Sequence, residues 1–213
     1  MTRGSQHQSS DPPDFIALSR ERLRGYDPHR IAAPESRPSA VLLLLHHKGG
    51  EDRVVLTVRS NDVGHHKGQI SFPGGAVHAA DADLQTTALR ETWEEIGVRP
   101  RDVELLGQLD DLITGTNFIV TPFVGALERG PVEYLPNPAE VAEVIEPPVS
   151  LLLDPATVRW EERQVASRPG RSPAYLYGAH RIWGATARIL HEYLAVLTAD
   201  DQALNRARRE RRG

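Results

Sequence analysis

The stretch at residues 74–98, GGAVHAADADLQTTALRETWEEIGV, constrains the fold more than any other part of the chain. A Gly-Gly turn leads through a short acidic loop into a helix predicted over residues 84–96. Asp83 is placed to cap the amino end of that helix, and Gly97 stands where a helix commonly ends in a left-handed residue. The sequence therefore predicts one well-delimited helix in the middle of the chain.

Three carboxylates share one face of this helix. An α-helix turns about 100° per residue, so Glu91, Glu94 and Glu95 fall within a sector of roughly 100°. Such close like charges repel one another, and Arg90 is the one cation beside them in the sequence. The cluster favours a hard divalent cation with oxygen ligands, Mg²⁺ or Mn²⁺; a solvated acidic face is the alternative. The neighbouring face, predicted to pack on the core, consists of Leu84, Ala88, Leu89, Thr92, Trp93 and Ile96.

The residues at 90–98, RETWEEIGV, resemble the second half of the Nudix box, whose pattern is Arg-Glu-aliphatic-x-Glu-Glu-x-Gly-aliphatic. Thr92 occupies the aliphatic position. In the first half of the box, Asp81 stands where the pattern has Glu, and the spacer from Asp81 to Arg90 is one residue longer than usual. This longer spacer resembles one branch of the Nudix hydrolases, the coenzyme A pyrophosphatases.

A second motif of that branch lies just upstream of the box. It reads LTVRS at residues 56–60 and GQISFPGG at residues 68–75. Gly64 stands where the branch has a basic residue, and His65, His66 and Lys67 follow it. Because adjacent side chains point in different directions, the two histidines make a poor chelate, and we expect their loop to meet substrate or solvent. The whole resemblance covers about residues 40–194.

Composition excludes several other classes of function. The chain has 213 residues and no cysteine, which excludes disulfides, thiolate catalysis and zinc-cysteine sites and fits a cytoplasmic protein. The net charge of −4 favours neither nucleic acid nor an anionic membrane surface as a partner. No apolar run is long enough to cross a membrane, and the polar amino terminus is unlike a secretory signal. The oligomeric state stays open between monomer and homodimer.

The chain is predicted to form a single domain over residues 15–200, between a disordered lead-in at 1–14 and a basic tail at 201–213. Five arginines in the last eight residues fit a solvated tail better than a nucleic-acid site. The predicted strands cover residues 40–45, 53–59, 103–109, 118–127, 158–166 and 174–177, with a turn region at 167–173. Helices are predicted at 15–23 and 182–197, and a strand followed by a helix at 136–154.

The resemblance implies the α/β fold of Nudix domains, an α/β/α sandwich with a mixed β-sheet between helices. It also implies that Glu91 and Glu95, one helical turn apart, are metal ligands. Glu94 is a candidate ligand of a second ion, and Arg90 is placed to fix the rotamer of Glu94. The backbone carbonyl of Gly75 is a further candidate ligand, because glycine lets the backbone approach an ion closely.

The general base stays open among Glu94, Glu95, Glu140 and Glu143. Catalysis is predicted to use Glu94, Glu95 and Arg90 with direct attack by an activated water, because no cysteine is available as a nucleophile. Arg59 is suited to grip a substrate phosphate, with a surface ion pair as the alternative. The other candidates for substrate binding are Gly68, Gln69 and Gly74.

The function implied is metal-dependent hydrolysis of coenzyme A or acyl-coenzyme A to 4′-phosphopantetheine, or its acyl form, and adenosine 3′,5′-bisphosphate. Gly64 keeps a second interpretation open, in which the substrate is ADP-ribose, a dinucleotide or a nucleoside triphosphate. A third is an inactive domain that senses a ligand. The intact carboxylate cluster argues against the third, because a sensor has no need of repelling charges.

Overall fold

The computed structural model describes residues 13–60, 68–128, 133–165 and 168–200. The loop residues Gly64, His65, His66 and Lys67 lie outside the described residues, as do the basic tail and nearly all of the predicted lead-in. The described helices are α1 (Phe15–Leu23), α2 (Leu84–Ile96), α3 (Val149–Leu153) and α4 (Gly184–Thr198), with a 3₁₀ turn at Pro100–Asp102. The described strands are β1 (Arg37–Lys48), β2 (Glu51–Arg59), β3 (Ile70–Ser71), β4 (Gly74–Ala76), β5 (Val103–Gln108), β6 (Leu112–Ile113), β7 (Phe118–Leu127), β8 (Val141–Ile145), β9 (Val158–Val165), β10 (Arg168–Tyr177) and β11 (His180–Ile182).

The larger sheet is built around β1. One edge of the strand pairs in parallel with β7, while its pairings with β2 and β4 are antiparallel, so the sheet is mixed as predicted. The predicted β1–β2 hairpin is confirmed, with Leu44 opposite Val55 and Lys48 opposite Glu51. β8 pairs with β2, and β5 and β6 pair with β7.

The segment from Ile70 to Ala76 bridges the two strands of this hairpin where they stop pairing with each other. Its first part, β3, pairs with β2 at Thr57 and Val58. Its last part, β4, pairs with residues 39–41 of β1, and the carbonyl of Pro73 accepts a hydrogen bond of 2.8 Å from the amide of Leu42. The Gly-Gly turn is therefore held between two buried strands.

Both faces of the sheet are covered by helices. Alternate residues of β1 point to opposite sides: Leu43 and Leu45 pack in the cluster that includes α1 and α4, whereas Leu42 and Leu44 pack with α2. This arrangement confirms the predicted α/β/α sandwich. It also explains why β1 reads as a continuous apolar run, since a strand buried on both faces has no polar side.

The face of α2 that packs on the sheet is narrower than predicted. Ala88, Thr92 and Ile96 are buried, but Trp93 is 53% exposed. Trp93 lies about 140° from Ala88 around the helix axis, beyond the reach of the sheet. The prediction that Trp93 packs on the core was wrong, and the place next to Ile96 in the interior is taken by Glu95.

Two predictions about the late part of the chain were also wrong. The expected turn at residues 167–173 is largely strand, because β10 begins at Arg168 and pairs with β9. Among the described strands, β11 pairs only with residues 175–177 of β10. Pro169 and Pro173 come before these residues, so they interrupt no hydrogen bonds between β10 and β11. Ile182 ends β11, opposite Tyr175, and the final helix begins two residues later than predicted. Together β9, β10 and β11 form a second sheet that the sequence did not predict.

Candidate active site

The two glycines of β4 are both closely surrounded. Gly74 has φ of 152°, and a Cβ there would lie 2.4 Å from the carbonyl oxygen of Ala40. A Cβ on Gly75 would lie 2.6 Å from the carboxylate of Glu91. Only glycine lets the backbone run this close to both β1 and the acidic face of α2.

Glu95 is the most buried carboxylate of the helix, with 7% of its surface exposed. It receives a hydrogen bond from the backbone N–H of Gly74, while its Oε2 is buried and has no hydrogen-bond partner among the described residues. Burial, with repulsion from Glu91 and Glu140, raises the pKa of Glu95 to about 8. Burial therefore outweighs the hydrogen bond from Gly74 and the positive charge of Arg59.

Glu91 and Glu94 have different exposures. The side chain of Glu91 is 13% exposed, and burial raises the pKa of its carboxyl group, with Arg90 opposing the shift. The side chain of Glu94 is 47% exposed and accepts a hydrogen bond of 2.9 Å from Nη1 of Arg90. The predicted contact between Arg90 and Glu94 is thus present, but Glu94 faces solvent more than its two neighbours do.

Arg90 is the centre of a half-buried hydrogen-bond network. Its Nε and Nη2 donate to the two oxygens of Asp81 at 2.8 and 3.0 Å, and Nη1 also donates to Glu91 at 2.9 Å. Asp81 accepts further bonds from the amide of His78 and the hydroxyl of Thr87, both at 2.8 Å. The guanidinium holds the pKa of Asp81 well below its usual range.

From the sequence, Asp81 was identified only as a departure from the Nudix box, and its contact with Arg90 was not predicted. The pair spans nine positions in the sequence, and the loop between them brings the shorter Asp side chain into bidentate contact. The departure at Thr92 is also accommodated, because its buried hydroxyl donates to the carbonyl of Ala88 at 2.7 Å.

The two candidate bases outside the helix have different surroundings. The charge of Glu140 raises the pKa of both Glu91 and Glu95. Glu143 lies on β8, opposite Val58, and its carboxylate is 3.5 Å from His180 on β11. The choice of general base among Glu94, Glu95, Glu140 and Glu143 stays a prediction.

The other predicted substrate residues form the base of the loop between β2 and β3. The amide of Arg59 donates to the carbonyl of Gln69 at 2.9 Å, and the amide of Gly68 donates to the carbonyl of Arg59 at 3.3 Å. The exposed side chain of Arg59 lies near enough to oppose the rise in the pKa of Glu95. The structure thus groups the predicted substrate residues beside the carboxylates: Arg59, Gly68, Gln69 and Gly74.

The donor set fits a divalent cation. Glu95 supplies a buried oxygen without a partner, and Gly75 brings the backbone against Glu91. Within the described part of the chain, no three acidic, histidine or cysteine side chains are arranged to hold an ion on their own. A backbone carbonyl, for which Gly75 is the candidate, and water would therefore complete the coordination by Glu91 and Glu95.

A sequence model of the NUDIX domain matches residues 36–168. The chain belongs to the Nudix hydrolase family. It is 36% identical to the uncharacterized Nudix hydrolase NudL of Photorhabdus laumondii over 179 residues, which cover 84% of this chain and 94% of that protein. It is 32% identical to Nudix hydrolase 15, mitochondrial, of Arabidopsis thaliana over 169 residues, 77% of this chain and 59% of that protein.

Solved structures of the family also resemble this Nudix hydrolase. The crystal structure of a MutT/nudix family protein from Enterococcus faecalis aligns with 92% of this chain and 70% of that chain, with a TM-score of 0.47 and 16% identity. Nudix domains bind small molecules derived from nucleotides, and the family typically uses a divalent metal. None of the described helices is both long and apolar enough to span a membrane.

Proposed function

We propose that this Nudix hydrolase cleaves the pyrophosphate bond of coenzyme A or acyl-coenzyme A. The products would be 4′-phosphopantetheine, or its acyl form, and adenosine 3′,5′-bisphosphate. Mg²⁺ or Mn²⁺ is the proposed cofactor. A cytoplasmic location and the absence of nucleic-acid and membrane partners stay predictions, and so does the choice between monomer and homodimer.

The observation that carries this proposal is the position of Arg59 in the upstream motif. The two backbone hydrogen bonds at Arg59 join it to Gly68 and Gln69, and its positive charge opposes the rise in the pKa of Glu95. Coenzyme A differs from other nucleoside diphosphate derivatives in its 3′-phosphate, a dianion that an exposed guanidinium can bind through two parallel hydrogen bonds. A cation beside the acidic cluster therefore supports a substrate with an extra phosphate.

The residues of the site have separable tasks. Glu91 and Glu95, with the carbonyl of Gly75, would hold the metal, and Glu94 is the candidate for a second ion. When bound, the metal would neutralise the pyrophosphate oxygens, lower the pKa of water and stabilise the leaving phosphate. Arg90 acts through its contacts with the carboxylates, since it keeps Glu91 and Glu94 in fixed orientations.

Product analysis on a panel of substrates tests the proposal. The purified protein is incubated with Mg²⁺ or Mn²⁺ and coenzyme A, acetyl-coenzyme A, ADP-ribose, NADH or a nucleoside triphosphate. We expect adenosine 3′,5′-bisphosphate from the two coenzyme A samples and little product from the others. Preferred cleavage of ADP-ribose or a dinucleotide would contradict the substrate but keep the mechanism. Metal binding without turnover of any compound would indicate a ligand sensor.

A further inference from the structure

Thr87 lies on α2, about one turn before Arg90, and it has no exposed surface. Its hydroxyl is 2.8 Å from Oδ2 of Asp81 and 3.2 Å from the carbonyl oxygen of Asp83. A hydroxyl has one proton to donate, and the shorter contact is with a charged acceptor, which makes the stronger bond. The hydroxyl of Thr87 therefore donates to Asp81, a residue outside the helix.

Asp81 belongs to a turn in the loop that precedes α2. The amide of Asp81 donates to the carbonyl of His78 at 3.0 Å, and the amide of His78 donates back to Oδ2 of Asp81 at 2.8 Å. These two bonds hold the carboxylate to its own loop, but they do not join the loop to the helix. The connection to α2 is made by the side chains of Arg90 and Thr87.

Arg90 and Thr87 contact Asp81 in different ways. Arg90 has a long side chain that also donates to Glu91 and Glu94, both at 2.9 Å. Thr87 is short and buried, and a β-branched side chain in a helix has few χ1 rotamers open to it. We therefore expect Thr87 to fix the orientation of the carboxylate, and the longer arginine to follow that orientation.

We propose that Thr87 is a positioning residue, whose buried hydroxyl holds Asp81 in the orientation that binds Arg90 and thereby keeps Glu91 beside Gly75. The inference rests on the proposed metal-dependent function, in which Glu91 and the carbonyl of Gly75 are ligands. Each link from Thr87 to Glu91 is a hydrogen bond of 2.8–3.0 Å. Without the first link Asp81 is held less firmly, and Arg90 loses the fixed acceptor that keeps it against Glu91.

Four substitutions separate this task from a purely structural one. Thr87→Val keeps the shape of the side chain and removes the hydroxyl, whereas Thr87→Ser keeps the hydroxyl. Thr87→Ala removes the hydroxyl without placing a methyl group against the carboxylate of Asp81. Thr92→Val is the matched control, because it removes another buried hydroxyl of α2, one that donates to the carbonyl of Ala88.

Hydrogen exchange of the Arg90 side chain tests the contact in the metal-free protein. The Nε–H of Arg90 donates to Asp81 at 2.8 Å, so its exchange with solvent, followed by nitrogen-15 NMR, reports on that bond. We expect exchange about fivefold faster in Thr87→Val and Thr87→Ala, the effect of one hydrogen bond, and native rates in Thr87→Ser and Thr92→Val. Native exchange in both Thr87→Val and Thr87→Ala would overturn the proposal.

Binding of Mn²⁺ tests the consequence for the site and requires no turnover. It is measured from the electron paramagnetic resonance signal of the free ion. We expect Thr87→Val to weaken Mn²⁺ binding about threefold, a modest loss because Thr87 acts through two other residues, and Thr87→Ser to restore it. In an Asp81→Ala background, Thr87→Val should add nothing, and additive losses would contradict the proposed route.

The two measurements also separate this inference from the proposed substrate and from stability. A protein that cleaves no coenzyme A but loses Mn²⁺ affinity in Thr87→Val, and not in Thr92→Val, supports Thr87 and contradicts the substrate. A protein that cleaves coenzyme A and keeps native Mn²⁺ affinity in Thr87→Val supports the function and contradicts the task of Thr87. A lower midpoint of thermal unfolding in Thr87→Val, with native exchange and native Mn²⁺ affinity, would assign the hydroxyl to stability alone and overturn the proposal.

Discussion

The side chains of Asp81 and Glu95 are both nearly inaccessible to solvent, but their carboxylates have opposite surroundings. Asp81 accepts two bonds from Arg90 and one each from His78 and Thr87. Glu95 accepts a hydrogen bond from the backbone N–H of Gly74, and its Oε2 has no hydrogen-bond partner among the described residues. As a result the pKa of Asp81 is well below its ordinary range, whereas the pKa of Glu95 is raised to about 8.

From this difference we infer that Asp81 supports the structure of the site, whereas Glu95 takes part in its chemistry. A carboxylate that accepts four hydrogen bonds, two of them from a guanidinium, is stable in its charged form without an ion. A buried carboxylate with an unpaired oxygen is costly to keep charged, and a divalent cation would remove that cost. The contrast separates Asp81, which orients Arg90, from Glu95, the proposed ligand.

The largest expected effect is that of Glu95→Gln on turnover. The substitution keeps the shape of the side chain and removes its charge, so we expect hydrolysis to fall about 10³-fold, because metal stabilisation contributes several kcal/mol. Steady-state rates with coenzyme A and Mn²⁺ measure this effect, and circular dichroism checks the fold. Near-native turnover in a folded Glu95→Gln protein would remove Glu95 from the metal site.

The same variant should change how stability depends on pH when no metal is present. The pKa of Glu95 in the folded protein, about 8, exceeds its ordinary value of 4.5, so the folded state holds the extra proton between these values. The contribution of Glu95 to the stability of the folded state is fully present below pH 4.5 and is lost as the pH rises through 8. Near pH 8.5 we expect Glu95→Gln to be more stable than the native protein by at most about 5 kcal/mol, since the two pKa values differ by about 3.5 and one pKa unit corresponds to about 1.4 kcal/mol.

Urea unfolding of the metal-free proteins between pH 5 and 8.5 tests that expectation. The two stability curves should converge at low pH and separate as the pH rises. Parallel curves would show that Glu95 is not held in the interior as an unpaired acid. Addition of Mn²⁺ should stabilise the native protein more than the variant, because the variant has lost a charged ligand.

Asp81→Asn tests the carboxylate that is paired with Arg90. Without the charge of Asp81, Arg90 orients Glu91 and Glu94 less firmly, and we expect hydrolysis to fall about tenfold. The sign of the pH effect is opposite to that of Glu95. The depressed pKa of Asp81 means that its stabilisation is present above its ordinary value of 3.8 and is lost as the pH falls through the folded value.

Acid unfolding monitored by fluorescence distinguishes the two variants. The native protein should lose more stability than Asp81→Asn on acidification from pH 5 to pH 3. An Asp81→Asn protein with native turnover and the native acid transition would show that the contact with Arg90 does not support the site.

Arg59→Ala should give the smallest effect and the most specific one. We expect KM for coenzyme A to rise about fivefold and KM for dephospho-coenzyme A to change little, because the interaction of an exposed guanidinium with phosphate contributes about 1 kcal/mol. Parallel kinetics on the two substrates measure the difference. An equal rise in both values of KM would exclude Arg59 from binding the 3′-phosphate.

Much of the fold could be predicted because its signals are local. The helix at Leu84–Ile96 has the predicted bounds, with Asp83 as its N-cap and Gly97 in the left-handed conformation at its end. The hairpin and the final helix also follow from apolar patterns of a few residues. The turn predicted at 167–173 failed because proline and glycine are tolerated in a strand whose pairing leaves an edge open, and pairing is not a local property.

The sequence by itself determined that one helix carries three carboxylates and an arginine, because helical periodicity fixes which residues share a face. Only the tertiary structure decided that Glu95 turns inward while Trp93 turns out, and that Asp81 contacts Arg90. Those outcomes depend on how distant segments pack, and packing sets both the burial of each charge and the partners within its reach.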